Sequence, residues 1–245
     1  MADKFLGWWL RVRAGNVPRM DTLPAPKCIL FDLDGTLVDS VADISASANF
    51  VRESLGMESL PESELASYVG DGAVWLMRRA LAGRHDAPAS FEELDFDAEI
   101  AKFRAHYHEH CLERTTVYPQ VAETLEALAP LPMAVVSNKP EAMCVTIADG
   151  LGLKRFLGTV VGARSSVPVK PDPALLEIAL AEMGIGGRGP EVWMVGDSGN
   201  DVLAGRAIGA TTVSVAWGLT ERGRLEGFAA DRMIEGMGEM VGLVG

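Results

Sequence analysis

Short, almost uninterrupted apolar runs constrain the fold of this chain more than any other feature. The three clearest occupy residues 28–31, 133–136 and 192–195. Such runs are typical of strands that helices cover on both faces, because a strand with one wet face alternates apolar and polar residues. Shorter candidates lie at residues 159–161 and 212–215. The chain is therefore predicted to contain a buried sheet.

Segments of helical periodicity separate these runs. Apolar residues recur three and four positions apart over residues 121–128, 174–183 and 202–208. Strands that alternate with helices of this length indicate βαβ units. We therefore predict an α/β fold, a Rossmann-like parallel sheet flanked by helices.

Residues 41–114 break this alternation. They contain no convincing strand run, and glycines and prolines divide them into helix-like pieces. We predict a small helical cap inserted after the first strand, and a core domain formed by residues 27–40 and 115–245. Functional loops of open α/β sheets lie beyond the carboxyl ends of the strands, so the cap should overhang the functional site.

Length, charge and cysteine content limit the class of protein. A chain of 245 residues suits one core domain with a modest insertion. Its formal charge of −12 disfavours nucleic acid as a partner. Its three cysteines are scattered and form no CxxC pair, which indicates free thiols in a reducing compartment. We expect a cytoplasmic protein, a monomer or homodimer, that acts on a small molecule.

Residues 1–26 are treated as a separate extension. An apolar cluster between Phe5 and Leu10 is interrupted by Gly7 and followed by arginines. It is too short to span a bilayer and lacks a signal-peptide cleavage site, so we predict no membrane association. We expect a flexible extension, or an upstream start with Met20 as the working initiator. A weak interfacial or partner-binding segment is the alternative.

Acidic residues follow the first apolar run. Strand alternation places Asp32 and Asp34 on the same side of the chain. Two carboxylates that lie so close repel each other unless they share a cation or a proton. Asp-Gly pairs are also common in turns, so this motif alone leaves an acidic turn as the alternative.

Three further polar motifs lie near the ends of later strands. Ser137 and Asn138 follow the second run, where a hydroxyl before a helix start offers donors for an anion or simply caps the helix. Lys170 precedes a proline, which either fixes its ammonium group or makes it a surface lysine beside a helix. Asp197 and Asp201 supply further carboxylates, the ligands that Mg²⁺ prefers.

Together, in this order, the four motifs resemble the haloacid dehalogenase superfamily of phosphatases. The resemblance extends from Lys27 to about Trp217. It implies that Asp32 is the nucleophile and that Asp34 is the general acid and base. It also implies a helical cap and a Mg²⁺ cofactor. The implied metal ligands are Asp32, Asp34 through its backbone carbonyl, Asp197 and Asp201, the last of which would orient metal-bound water or Lys170.

The resemblance is closest to the phosphoglycolate phosphatase branch, through the stretches at residues 31–40, 68–72, 136–140, 170–173 and 195–198. It implies hydrolysis of 2-phosphoglycolate to glycolate and phosphate. Lys170 would neutralise charge on the phosphoryl group. The implied phosphate- and substrate-binding residues are Gly35, Thr36, Ser137, Asn138, Lys170, Gly70, Asp71 and Gly72. Two positions depart from the branch, because Gln120 stands where Gly is usual and Ser137 where Thr is commoner.

Three alternatives to this function remain. One is a phosphomutase of the β-phosphoglucomutase kind, although Thr36 and the run 137–139 favour a phosphatase. Another is a phosphatase of the same superfamily with a different small substrate. The third is a non-catalytic binding module, which the complete set of carboxylates and Lys170 disfavours.

Basic residues in the cap are candidates for other binding roles. Arg78 and Arg79 are candidates for a substrate carboxylate, with exposed helix arginines as the alternative. His106 and His110 have a zinc-compatible spacing, but a solvated helix face is favoured over a metal role.

Overall fold

The structure is a computed structural model that describes residues 23–91 and 94–244. The predictions for residues 1–22 lie outside the described residues. A six-stranded, wholly parallel sheet has the order β5-β4-β1-β6-β7-β8. Its strands are β1 (Cys28–Phe31), β4 (Met133–Pro140), β5 (Thr159–Ala163), β6 (Val192–Gly196), β7 (Thr211–Val215) and β8 (Arg232–Ile234). The predicted Rossmann-like α/β fold is confirmed.

The central strand β1 explains why the apolar runs are continuous. All four of its residues are fully buried. Ile29 and Phe31 belong to one hydrophobic cluster, whereas Cys28 and Leu30 belong to another on the opposite face of the sheet. Because both faces are covered by helices, neither face of the strand favours polar residues.

Among the described residues, four helices lie between residues 40 and 115. They are α1 (Val41–Ser54), α2 (Glu62–Ala66), α3 (Ala73–Ala82) and α4 (Phe96–His110). A two-stranded antiparallel ribbon, β2 (Val38–Asp39) and β3 (Thr116–Val117), closes the base of this helical segment. The later helices are α5 (Val121–Ala127), α6 (Glu141–Gly150), α7 (Ala174–Glu182), α8 (Gly199–Ala207), α9 (Arg222–Gly227) and α10 (Glu239–Val244).

Asp43 joins the two places where the chain passes between the sheet and the helical segment. It lies in the first turn of α1 and is almost fully buried. Its carboxylate accepts hydrogen bonds from the backbone N–H groups of Arg114 and Thr115, the latter at 2.8 Å, and from the Thr115 hydroxyl at 2.8 Å. Such charge-assisted bonds are stronger than neutral ones. One buried carboxylate therefore fixes the entry and exit of the segment relative to each other.

Strand β4 differs from the sequence-based expectation. It continues to Pro140, four residues beyond the predicted end, and α6 begins at Glu141. Ser137 therefore lies within a strand and does not precede a helix start. The short strands β2, β3 and β8 were not predicted, because two or three residues carry too little periodicity to be recognised. Within the described ranges, no helix is long and apolar enough to cross a membrane.

Candidate active site

The carboxyl end of β1 brings the first acidic pair to the edge of the sheet. The Asp32 backbone N–H continues the ladder to β6 by donating to the Val195 carbonyl at 2.9 Å. The chain then turns at Gly35, whose φ of +78° favours glycine. A Cβ at Gly35 would lie 2.3 Å from Asp197 Oδ2, so glycine also allows the two acidic loops to approach each other.

Three carboxylates converge at this edge. Oxygens of Asp32, Asp197 and Asp201 lie within 4.8 Å of one another, and all three residues are buried. Burial raises the pKa of Asp197 well above its ordinary value, and the charges of Asp201 and Asp32 raise it further. Burial likewise raises the pKa of Asp32, although the neighbouring Lys170 opposes this effect. The cluster therefore holds more negative charge than the fold alone stabilises.

The donor set fits a small, hard divalent cation. Asp32 Oδ1 lies 3.0 Å from Lys170 Nζ and has no other polar partner among the described residues, which leaves it capacity for a further ligand. Asp197 receives one hydrogen bond at Oδ2, from the Leu219 N–H at 2.6 Å. Mg²⁺ is bound by one or two carboxylates together with waters and substrate oxygens. This chemistry is compatible with the cluster, and Asp32 and Asp197 are its least engaged carboxylates.

Lys170 is the fixed cation of the cluster. Its Nζ donates to the Val136 carbonyl at 2.7 Å and to Asp201 Oδ1 at 2.6 Å, and lies 3.0 Å from Asp32 Oδ1. Burial opposes the charge of Lys170, but the attraction of Asp201 and Asp32 more than offsets it and raises its pKa. Asn138 holds the Lys170 backbone, accepting from its N–H and donating to its carbonyl, both at 2.8 Å.

Asp201 is held mainly by protein groups. One carboxylate oxygen pairs with Lys170, and the other accepts from the Ser198 N–H at 3.0 Å and from the Ser198 hydroxyl at 2.7 Å. The bond from the Ser198 N–H is one half of a capping box at the start of α8. Asp201 is thus placed to orient Lys170, while its prediction as a metal ligand stays a prediction.

Asp34 is held by a second buried lysine. Lys139 Nζ lies 2.7 Å from Asp34 Oδ1 and 2.8 Å from Oδ2, and the Ser40 hydroxyl also donates to this carboxylate. No individual role is predicted for Lys139 from the sequence. The available signal was its spacing, because residues two apart in a strand share a face and Lys139 is two residues from Ser137.

Not all predicted binding residues lie together. Ser137, Asn138, Gly70 and Gly72 line one cavity together with Asp32, Asp34 and Asp197. Gly35 and Thr36 lie behind it in the β1 loop, and the Thr36 hydroxyl is buried without a partner among the described residues. Asp71 points away from this cavity, since its carboxylate bonds Arg79 at 2.6 Å and Asn200 at 2.9 Å.

The candidate arginines of the helical segment do not reach the cavity. Arg79 is engaged by Asp71 and also donates to the Tyr68 carbonyl at 3.3 Å. The Arg78 guanidinium lies over the rings of Trp75 and Phe96, at 5.0 and 5.3 Å from their centroids. Neither arginine is placed to meet a ligand bound at the acidic cluster.

The cavity itself is small and has two chemically different ends. Its volume is about 60 Å³. Its polar end is formed by Asp32, Asp34, Asp197, Ser137 and Lys139, whereas the helical segment and α6 supply an apolar wall. That wall includes Ile44, Val69, Leu76, Phe103, Tyr107 and Met143. Among the described residues that line the cavity, Lys139 is the only basic one.

Comparisons with known proteins agree with this architecture. Residues 29–215 match the family described as haloacid dehalogenase-like hydrolase. A phosphoglycolate phosphatase of Chromobacterium violaceum is 36% identical over 220 residues, which are 89% of this chain and 96% of the relative. Phosphoglycolate phosphatase 1 of Pseudomonas aeruginosa is 37% identical over 196 residues, 79% of this chain and 70% of the relative.

A solved structure supports the same assignment. The crystal structure of a predicted phosphoglycolate phosphatase from Haemophilus somnus superposes with a TM-score of 0.80 at 27% identity. The superposition covers 90% of this chain and 98% of the other. The family match includes β1, β4, β6 and the acidic residues that follow them. The predicted resemblance is confirmed, and this chain is a hydrolase that belongs to the haloacid dehalogenase-like hydrolase family.

Proposed function

We propose that this chain, a phosphoric monoester hydrolase, cleaves its substrate through an aspartyl-phosphate on Asp32, with Mg²⁺ as cofactor and 2-phosphoglycolate as substrate. The observation that carries the proposal is the meeting of Asp32, Asp34 and the carboxylate cluster at one end of a small cavity. Relatives named phosphoglycolate phosphatase over most of this chain support the choice of substrate.

Asp32 would attack the phosphorus atom. An ionised carboxylate needs no separate base to act as a nucleophile. The protein must then position the phosphoryl group and neutralise its equatorial oxygens. Lys170, 3.0 Å from Asp32 Oδ1, is suited to that task, and the Ser137 hydroxyl lines the same end of the cavity.

Mg²⁺ bound by Asp32, Asp197 and the Asp34 backbone carbonyl would supply positive charge beside the transferring group. The residues of this chain do the rest. Lys170 would hold Asp32 in place, and Asp201 would hold Lys170. The phosphomonoester substrate is the proposed small-molecule partner. The buried free thiols of Cys28, Cys111 and Cys144 are consistent with a cytoplasmic setting.

Asp34 would act as the general acid and base. It lies two residues beyond the nucleophile, and Lys139 and Ser40 fix its carboxylate. It would protonate the leaving alkoxide, and then remove a proton from the water that hydrolyses the aspartyl-phosphate. One side chain can serve both half-reactions, because the first leaves it in the ionisation state that the second needs.

The size of the cavity favours a two-carbon substrate over a sugar phosphate. A volume of about 60 Å³ is only a few times the minimum that holds one water molecule. A hexose phosphate, as the mutase alternative needs, would require the helical segment to move away. Such a motion would expose the aspartyl-phosphate to water.

Phosphate release from a panel of phosphomonoesters tests this function. The purified enzyme with Mg²⁺ should hydrolyse 2-phosphoglycolate with the highest kcat/KM, and glucose 1-phosphate poorly. Glucose 1-phosphate converted to another sugar phosphate without phosphate release would support the mutase instead. Failure to turn over any ester, with Mg²⁺ bound, would support the binding module.

A further inference from the structure

The proposed substrate carries a carboxylate that the phosphoryl site does not accommodate. An anionic group placed against the apolar wall of the cavity is strongly disfavoured unless charged or polar groups pair with it. Lys170 is already engaged by three oxygens, and the two arginines of the helical segment are turned elsewhere. If the proposed function holds, the cavity must supply another partner.

Lys139 is a cation with capacity for a further ligand. Its ammonium has three N–H groups, and two of them serve the Asp34 carboxylate oxygens at 2.7 and 2.8 Å. The third N–H is not used by Asp34, and the Lys139 Nζ lies 4.7 Å from the centroid of the Tyr107 ring. The Asp34 carboxylate balances the charge of the buried Lys139 ammonium, with which it forms an ion pair at 2.7 Å.

The Tyr107 hydroxyl can donate a hydrogen bond but has no acceptor among the described residues. Tyr107 belongs to α4, its side chain is 1% exposed, and it lines the cavity. Its hydroxyl is buried, and the Lys139 ammonium lies beside it as a donor. Buried tyrosine hydroxyls usually have partners, because an unpaired one loses its interaction with water. Burial also raises the pKa of Tyr107, which keeps the phenol protonated and able to donate.

We infer that Lys139 and Tyr107 form the binding site for the carboxylate of the substrate. In 2-phosphoglycolate this carboxylate is one methylene away from the ester oxygen that Asp34 would protonate. Lys139 touches Asp34 on one side and Tyr107 on the other. With the ester oxygen at Asp34, the carboxylate one methylene away would therefore lie beside Lys139 and Tyr107. Selection for an acid beside the ester would reside in these two residues.

A comparison of two substrates tests this inference. Propyl phosphate has a chain of similar length but no carboxylate. The ratio of kcat/KM for 2-phosphoglycolate to that for propyl phosphate should fall about tenfold or more in Tyr107→Phe, because a hydrogen bond to a charged group is lost. Tyr68→Phe is the matched control, since Tyr68 is equally buried but its hydroxyl donates to Glu64 at 2.8 Å. The control should keep the wild-type ratio.

Lys139→Met gives a second measurement. It should slow both substrates, because Asp34 loses its partner, and it should also reduce the ratio at least as far as Tyr107→Phe does. Melting curves with and without 2-phosphoglycolate show whether each variant is folded and binds.

The outcomes separate the two proposals. A wild-type enzyme without preference for 2-phosphoglycolate over propyl phosphate would refute the substrate and, with it, the carboxylate site. A wild-type enzyme with that preference, retained by folded Tyr107→Phe and Lys139→Met, would refute the carboxylate site alone.

Discussion

Gly218 offers a sharp test of how closely the acidic loops are fitted together. A Cβ at Gly218 would lie 2.1 Å from the Cβ of Asp197 and 2.5 Å from its Oδ2. Asp197 has little room to give way, because it is buried and the N–H of the next residue, Leu219, holds Oδ2 at 2.6 Å. Gly218→Ala should therefore move Asp197 and lower the free energy of unfolding by about 1–3 kcal/mol, the usual cost of overpacking.

The displacement should also weaken the metal site. Half-maximal activity of Gly218→Ala should need about tenfold more Mg²⁺, since misplacing one ligand or its neighbours commonly costs 10- to 100-fold in affinity. Chemical denaturation measures the stability change, and activity against Mg²⁺ concentration measures the affinity.

Gly227→Ala is the matched control for this substitution. Gly227 is the last residue of α9, and nothing lies within 4 Å of a Cβ built there. Alanine at a compatible helical position stabilises a protein by about 0.4–1 kcal/mol. The same chemical change should thus have opposite signs at the two sites. Equal stability and equal Mg²⁺ dependence in Gly218→Ala and the wild type would refute the reasoning.

Three further predictions concern the acidic residues and one strained turn. Asp32→Asn should abolish trapped phosphoenzyme, whereas Asp34→Asn should still form it slowly and hydrolyse it slowly, as acid quenching and mass spectrometry can test; phosphate trapped on Asp34 would contradict the roles. Asp197→Asn should inactivate the enzyme but raise the melting temperature without metal at pH 7–8. The sign follows because the folded protein holds this proton more tightly than the unfolded chain, so the ionised carboxylate destabilises the fold above its folded pKa. The gain should vanish as the pH falls towards the ordinary value of 3.8; a gain independent of pH would exclude this cause. Gln120→Gly should raise the free energy of unfolding by about 0.5–1 kcal/mol in denaturant titrations. Gln120 has a φ of +64°, and the left-handed strain of about 1–2 kcal/mol exceeds the entropic cost of glycine. A loss of stability would contradict this prediction.

The parts of the fold that depend on local pattern could be predicted from the sequence. β1 has the predicted bounds, because a strand that is buried on both faces has a continuous run of apolar residues in its sequence. The proximity of the acidic residues at strand ends could also be predicted, because the carboxyl ends of parallel strands share one edge of the sheet.

The parts that depend on tertiary packing could not. Tyr107 lies on a helix whose pattern does not distinguish a cavity wall from a core. Lys139 acquires its partner, Asp34, from the loop after β1, 105 positions away. The family resemblance implied that Asp71 binds substrate, but only the folded chain reveals Arg79 and Asn200 as its partners. Gln120 illustrates a mixed case, because the departure from glycine was visible in the sequence and its positive φ was not.

The bonds of Asp43 to residues 114 and 115 have a consequence for exchanging parts between relatives. Because the Asp43 carboxylate links the start of the helical segment to its end, the unit that can be exchanged between relatives includes these hydrogen bonds, here called the Asp43 clasp, as well as the helices. A chimera whose donor segment starts before Asp43 and ends after Thr115 transfers the clasp intact. A junction between these residues pairs a carboxylate from one parent with a loop from the other. The first kind of graft should therefore keep the stability of the fold, and stability should suffer in the second.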